Sequence, residues 1–409
     1  MSFSVAHAPS PRAAARIFVY VFIFLDSLAF GIMLPVLPKL VESFTLGDTG
    51  RAALIMGLFT TVWAFLQFAF SPMVGLLSDR FGRRPLLLIS TVGLALNYLL
   101  TALATNLVWL FLARVISGIT AASFTTAGAY IADITPPERR AAAWGKVGAA
   151  WGLGFIIGPG VGGLLGGIDL RLPFWVATGM ALAAAAFGWF VMPESLPPEK
   201  RARFTWLQAN PFGSLTLIKR HRELVGLSAV NVLVQTANHS LPAIFVFYAG
   251  YRYQWDSTWV GYALTVVGIC VIVIQGGLAK ILVKWFGERA TLLVGLSLGA
   301  LGFFAVASAS TGALLFASLP LLQAMSLFGP TSFALMTRLV EPHEQGQLQG
   351  SQNAIMGLTG LFAPAMFSWV FALGIADGAE LPGGAFALAG VLLGLAVPLG
   401  AAVTRPRGM

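Results

Sequence analysis

Charge is scarce along this chain. Only 10% of its 409 residues are Asp, Glu, Lys or Arg, against 57% hydrophobic, and the mean hydropathy is +0.82. So little polar surface cannot cover the apolar residues in water, which excludes a soluble globular protein and leaves one that crosses a membrane repeatedly. The single cysteine, Cys270, excludes an internal disulfide and a thiolate metal cluster, and is expected to pack as a small apolar side chain. The four histidines, His7, His221, His239 and His343, fall in a tail, a linker, a span and a loop. No catalytic cluster is visible among them, so a membrane-embedded enzyme is not expected, and neither is any cofactor or metal. No Gly-x4-Gly-Lys-Ser/Thr loop occurs, which leaves ATP-driven export without support.

What is abundant is long apolar runs. Crossing about 30 Å of hydrocarbon takes roughly 20 residues of helix, and on that measure the chain holds about twelve spans. They lie near 17–38, 52–77, 86–105, 107–131, 143–165 and 174–192, then 224–248, 259–282, 290–308, 312–337, 348–373 and 381–403. The runs are continuously apolar rather than alternating, which favours helices over a barrel. The expected fold is therefore all-α and polytopic, with residues 1–193 and 224–409 as two six-helix halves joined by a polar cytoplasmic linker at 194–223. Arg12 and Arg16 precede the first run as in a secretory signal. Its length, Asp26 and the want of a cleavage site make it a retained span instead.

The net charge of +9 raises the question of nucleic acid. With the N-terminus in the cytoplasm, only Lys39, Arg51, Arg171 and Arg252 of the 25 Lys and Arg residues fall outside and Arg114 within the membrane. The rest line the cytoplasmic face, so the basic balance reflects orientation and contact with the lipid bilayer, and no nucleic acid is needed. Both termini are expected in the cytoplasm.

Four groups of residues carry candidate chemistry. The run 75–85 between spans two and three places Asp79, Arg80, Arg83 and Arg84, with Gly75 and Gly82, in what reads as a tight charged turn. Gly75 permits close helix contact and Asp79 can hold an arginine; a turn that merely orients the chain is the plainer alternative. The run 280–289 echoes it through Phe286-Gly287, as expected of an internal repeat. Span five carries Gly154, Gly158, Pro159, Gly162 and Gly163, a glycine groove beside a weak point, which close packing alone also explains. Asp26 and Arg114 lie well inside their spans, about 13 Å and about 10 Å from the nearer ends. Charge at such depth is costly, and a carboxyl there can bind and release a proton as its solvation changes; a static ion pair is the alternative. Finally Gln67, Asn97, Gln235, Asn238, Gln323 and Asn353 could line a central cavity for a small-molecule substrate, or serve as interhelical glue.

Taken together, these motifs resemble the major facilitator superfamily, and within it the drug/proton antiporters of the tetracycline-resistance type. The resemblance rests on Leu25-Asp26-Ser27, Gly31-Ile32-Met33-Leu34-Pro35, Ser78-Asp79-Arg80-Phe81-Gly82-Arg83-Arg84-Pro85, Ala113-Arg114-Val115-Ile116-Ser117-Gly118, Ile131-Ala132-Asp133, Gly154 through Gly163, and His343-Glu344-Gln345-Gly346. It implies a proton-coupled exporter of a small amphiphilic or drug-like molecule, acting as a monomer in a bacterial inner membrane by alternating access. It further implies that Asp79, Arg80, Arg83 and Arg84 latch the cytoplasmic side and stabilise an outward-open state, and that the glycine motif shapes the seam between halves. The chain departs from the tetracycline type where Asn97 replaces an acid, Val271 a histidine, and Gly299 or a neighbour a second acid. His239 can titrate in the physiological range and is the candidate substitute. An uncoupled facilitator or importer of an uncharged solute is the competing reading.

Overall fold

A computed structural model of the protein describes residues 11–121, 123–136, 139–201, 216–220, 222–341, 344–376 and 379–405. His7, His221, His343 and most of the expected linker, residues 202–215, lie outside the described residues. Within them the protein is helical and contains no strand. Nine helical stretches are long and apolar enough to cross a membrane.

α1 (Pro11–Met33) gives way at residues 34–36, where Pro35 has no N–H to donate, and resumes as α2 (Leu37–Phe44). α3 (Thr49–Phe81) begins at Asp48, whose carboxylate accepts the Arg51 N–H at 2.8 Å. α4 (Arg83–Leu103) follows after one residue. α5 (Leu107–Thr120), capped by the Asn106 side chain, and α6 (Ser123–Ile134) are separated by a short break. α7 (Arg140–Ile168) and α8 (Leu172–Val191) complete the first half of the sequence.

Short α9 (Thr216–Arg220) leads into α10 (Arg222–Asn238), which breaks at His239 before α11 (Ser240–Tyr253). α12 (Ser257–Val273) runs through a π-helical turn at Ile274–Leu278 into α13 (Ala279–Ser308), and that helix reverses at Gly287, whose φ of 78° with ψ of 167° is almost confined to glycine. α14 (Gly312–Gln323), a 3-10 turn and α15 (Phe328–Thr337) form one broken passage; α16 (Gln345–Gly374) and α17 (Gly384–Val403) close the chain.

Two seams join α1–α8 to the later helices: α3 against α16, and α7 against α12. Small residues set both. A Cβ added to Gly57 would strike Ser368 at 2.7 Å, and one on Gly163 would meet the Ser257 carbonyl at 2.5 Å and Gly261 Cα at 2.9 Å. Thr258 Oγ1 donates to the Gly163 carbonyl at 3.3 Å across the same seam. In lipid, where apolar surface gains nothing from leaving its surroundings, such close backbone approach is the main source of helix attraction. The seams thin toward the end where α3 passes into α4, here termed the basic end. A Cβ on Gly75, Gly145, Gly148 or Gly277 would meet nothing within 4 Å.

Candidate functional site

At the basic end the charged run is mostly helix rather than turn. α3 stays helical through Phe81, and Gly82 alone, at φ 105°, reverses the chain into α4. The correction has a simple cause: a helix satisfies its own backbone, so polar side chains at a membrane face do not require a turn. Arg83 gathers the cluster. Its guanidinium lies 2.5 Å from Asp79 and 3.1 Å from Asp133 on α6, and donates to Ser78 Oγ at 2.7 Å. Arg80 instead lies over the ring of Phe81, and Arg84 donates to the Trp189 carbonyl.

Glu194, which the sequence did not single out, organises this corner. Its carboxylate accepts the N–H groups of Arg83, Arg84, Ser195 and Leu196 at 2.9 to 3.2 Å, and a Cβ on Gly82 would collide with it. It therefore neutralises the exposed start of α4. Its only sequence signal is an acid directly after the sixth apolar run. Glu194→Ala is expected to cost about 1–3 kcal/mol by stranding these donors, read as a lower thermal midpoint with the helix content unchanged.

The later repeat reproduces the device with its charges exchanged. Gly287 takes the place of Gly82, and Glu288, one residue on, pairs with Arg338 at 2.5 Å, as Arg83 pairs with Asp133. Both partners lie 50 residues further along the chain. Arg338 is 68% exposed, so this pair matters for geometry more than for energy, which for exposed pairs is about 0–1 kcal/mol.

The span-five glycines serve two helices at once. On one face Gly154, Gly158 and Gly162 meet the backbone of α1 at Leu28, Gly31 and Ile32, with Pro159 also against Gly31; on the other, Gly163 meets α12. Ser27 Oγ adds a bond to the Trp151 carbonyl at 2.6 Å.

In the first half of the chain Arg114 is a buried charged side chain among the spans. Only 6% exposed, it donates to Asn97 Oδ1 and to Met33 Sδ, each at 3.0 Å, and its Nε has no partner. Among the described residues it makes no ion pair. Asn97 thus gives the arginine a neutral acceptor. Tyr98, beside it and 1% exposed, lies within electrostatic range of both Arg114 and Asp26. The sequence reading missed Tyr98, since one tyrosine in an apolar run has no local mark.

His239 sits at the break between α10 and α11, with Gly360 between it and Ala64 of α3. It is therefore at a seam, apart from Arg114. Of the amides expected to line a cavity, Gln235 and Asn353 do come together, in a 270 Å³ pocket with Asn231, Gln349 and Gln352. Gln323 is buried where α14 ends, Asn238 is exposed, and Gln67 is half-buried on α3; none of these three lines that pocket.

Helical stretches able to cross a membrane, with buried polar groups among them, mark an integral membrane protein, and its relatives name the kind. Residues 19–364 match the model of the Major Facilitator Superfamily, and the chain belongs to that family. It is 35% identical over 349 residues to the class C tetracycline resistance protein of Escherichia coli, covering 85% of this chain and 87% of that one. It is 28% identical over 356 residues to multidrug resistance protein 2 of Bacillus subtilis (strain 168), covering 86% and 88%. Among solved structures, it is similar to the nucleoside transporter NupG, with a TM-score of 0.74 at 15% identity over 95% of this chain and 98% of that one. The human organic anion transporter MFSD10 gives 0.69 at 24% identity over 96% and 100%. The protein is a multi-pass membrane transporter and not an enzyme.

Proposed function

We propose that the protein exports a small amphiphilic or drug-like molecule across a bacterial inner membrane in exchange for protons. Asp26 carries this reading: an acid deep in α1, within electrostatic range of the same Tyr98 as Arg114, whose hydrogen-bond partners among the described residues, Asn97 and Met33, are neutral. Protonation there changes the charge of a desolvated cluster, which gives the two protonation states different preferred solvation and so different preferred conformations. Residues 1–193 and 224–409 act as two six-helix halves that rock along the α3–α16 and α7–α12 seams, with the linker and both termini in the cytoplasm. The thinning of the seams at the basic end supports an inward-facing arrangement in which the interior meets the cytoplasm. His239, at the α3–α16 seam, is placed to be a second titrating group. Gln67, Asn97, Gln235, Asn238, Gln323 and Asn353 contribute to the substrate path in a monomer.

In this reading Asp79 governs conformational balance rather than affinity, because its described partner is Arg83 at the membrane face. Asp79→Asn is expected to slow turnover roughly tenfold, an effect of about 1.4 kcal/mol, with substrate Kd within a factor of about two. Labelling of introduced cavity cysteines from the cytoplasmic side should rise. A large loss of affinity with unchanged labelling contradicts the latch role.

Asn97 and Val271 cannot titrate, so the proton or metal-chelate route of tetracycline exporters is incomplete here. Little or no tetracycline resistance is expected when the protein is expressed in a drug-sensitive bacterium. Robust resistance that is lost in His239→Ala contradicts this and assigns the missing role to the α10–α11 break.

One observation favours the alternative of uncoupled transport: the neutral partners of Arg114 also suit a purely structural arginine. Transport indifferent to an imposed pH gradient supports it.

A further inference from the structure

The pocket between α10, α15 and α16 is lined by ten residues, and none of them carries a charge. Its polarity comes from amides that are unequally committed. Asn231 Nδ2 donates to Gln352 Oε1 at 2.5 Å, and Gln352 in turn donates to Met336 Sδ. Gln235 makes no side-chain hydrogen bond among the described residues, and Asn353 only accepts, at 3.5 Å, from Gln349. Uncommitted amides offer two donors and an acceptor apiece. Gln235 is half-buried and Asn353 exposed, so this wall is open to water or to a ligand that hydrogen-bonds.

The remaining wall is aromatic, from Phe328 and Phe333. Between them Gly329 leaves room: a Cβ there would meet nothing within 4 Å. The volume of 270 Å³ lies just under the roughly 300–1,000 Å³ of small-molecule sites, enough for a ring with a few polar substituents. Half of this lining, including Gln349, Asn353 and Met356, is exposed, so an ion keeps part of its hydration here but finds no counter-charge. A neutral ring gains aromatic contact and hydrogen bonds and needs no counter-charge.

We propose that this pocket selects the ligand, and that it takes an uncharged, ring-bearing amphiphile presenting both hydrogen-bond donors and acceptors. Selection by neutral amides on α10 and α16 is thereby separated from charge handling around Asp26 and Arg114 on the other half of the chain. The role as substrate site rests on the export reading above, but the binding does not depend on transport.

The test uses the purified full-length protein in lipid nanodiscs and three naphthalenes of nearly one shape: 2-naphthamide, 2-naphthoate and 2-naphthylmethylammonium. Equilibrium titration is expected to show saturable binding of the amide at least about tenfold tighter than of either ion. Gln235→Leu removes the free amide at similar volume, and Gly329→Leu fills the space a Cβ can enter without clash. Each is expected to weaken amide binding about tenfold or more with an unchanged thermal midpoint. No saturable binding, equal affinity for all three, preference for an ion, or amide binding untouched by both variants overturns the proposal. Should the pattern appear without substrate-driven proton flux in proteoliposomes, the pocket stands and only proton exchange falls. Flux without amide selectivity removes the pocket and leaves exchange intact.

Discussion

Replacing Asp26 by asparagine is expected to abolish uptake driven by a proton gradient into inverted membrane vesicles, while the protein still inserts and folds. Asparagine keeps the size and most hydrogen-bonding capacity of the side chain, so packing in α1 is preserved. What disappears is the ability to exist in two charge states. If a proton carried by Asp26 couples the gradient to the conformational change, the gradient then does no work, since a ligand shifts an equilibrium only by its differential affinity for the two states. Downhill exchange of labelled for unlabelled substrate needs no net proton movement and should survive. Loss of both activities with a lowered thermal midpoint points to a structural role; full gradient-driven uptake removes Asp26 from the coupling path.

The second large effect belongs to the glycine face of α7. A Cβ on Gly162 would sit 2.1 Å from the Ile32 carbonyl oxygen and 2.7 Å from its carbonyl carbon. Those are backbone atoms, so no rotamer change relieves the clash and α1 must move away from α7. The same displacement loosens the contacts of Gly154 and Gly158 with Leu28 and Gly31, because all lie along one helix pair. Overpacking of this kind costs about 1–3 kcal/mol where flexible atoms yield, and rigid backbone sets the expectation at or above the upper figure. Gly162→Ala should therefore sharply reduce the folded yield and the thermal midpoint in detergent. Gly145→Ala, on the same helix with nothing within 4 Å of its Cβ, should instead be neutral or stabilise by about 0.5–1 kcal/mol. Equal behaviour of the two variants contradicts the backbone contact.

Much of this was legible before any coordinates. Runs of apolar residues long enough to cross a bilayer are imposed by lipid, and so the helical, multi-pass class was readable from where those runs fall; among the described residues nine stretches meet the length and hydropathy of a span, against about twelve expected. The Gly287 reversal was readable as an echo of Gly82 because both take positive φ with extended ψ, a conformation almost confined to glycine. The charged run 75–81 misled: its side chains mark a membrane face, but say nothing of the backbone, which remains helical.

The contacts that build the site were less accessible. Glu194 caps a helix begun 111 residues earlier at Arg83, and Asn231 meets Gln352 across 121 residues. Nothing in the local sequence distinguishes those side chains from Gln67 or Asn238, which share their chemistry but lie elsewhere. Asp26 and Arg114 were found by cost, since charge at depth stands out; Tyr98 was missed because it carries none at neutral pH.

The exchange of substrate for protons is tested most directly by reconstituting the protein in liposomes with a pH-sensitive dye inside and imposing outward or inward gradients of uncharged aromatic amphiphiles across neutral pH. A substrate gradient is expected to drive protons in the opposite direction, at a fixed ratio to substrate moved, and to do so in the wild type but not in Asp26→Asn. Substrate that crosses at the wild-type rate with no change in internal pH contradicts the account and makes the protein an uncoupled facilitator.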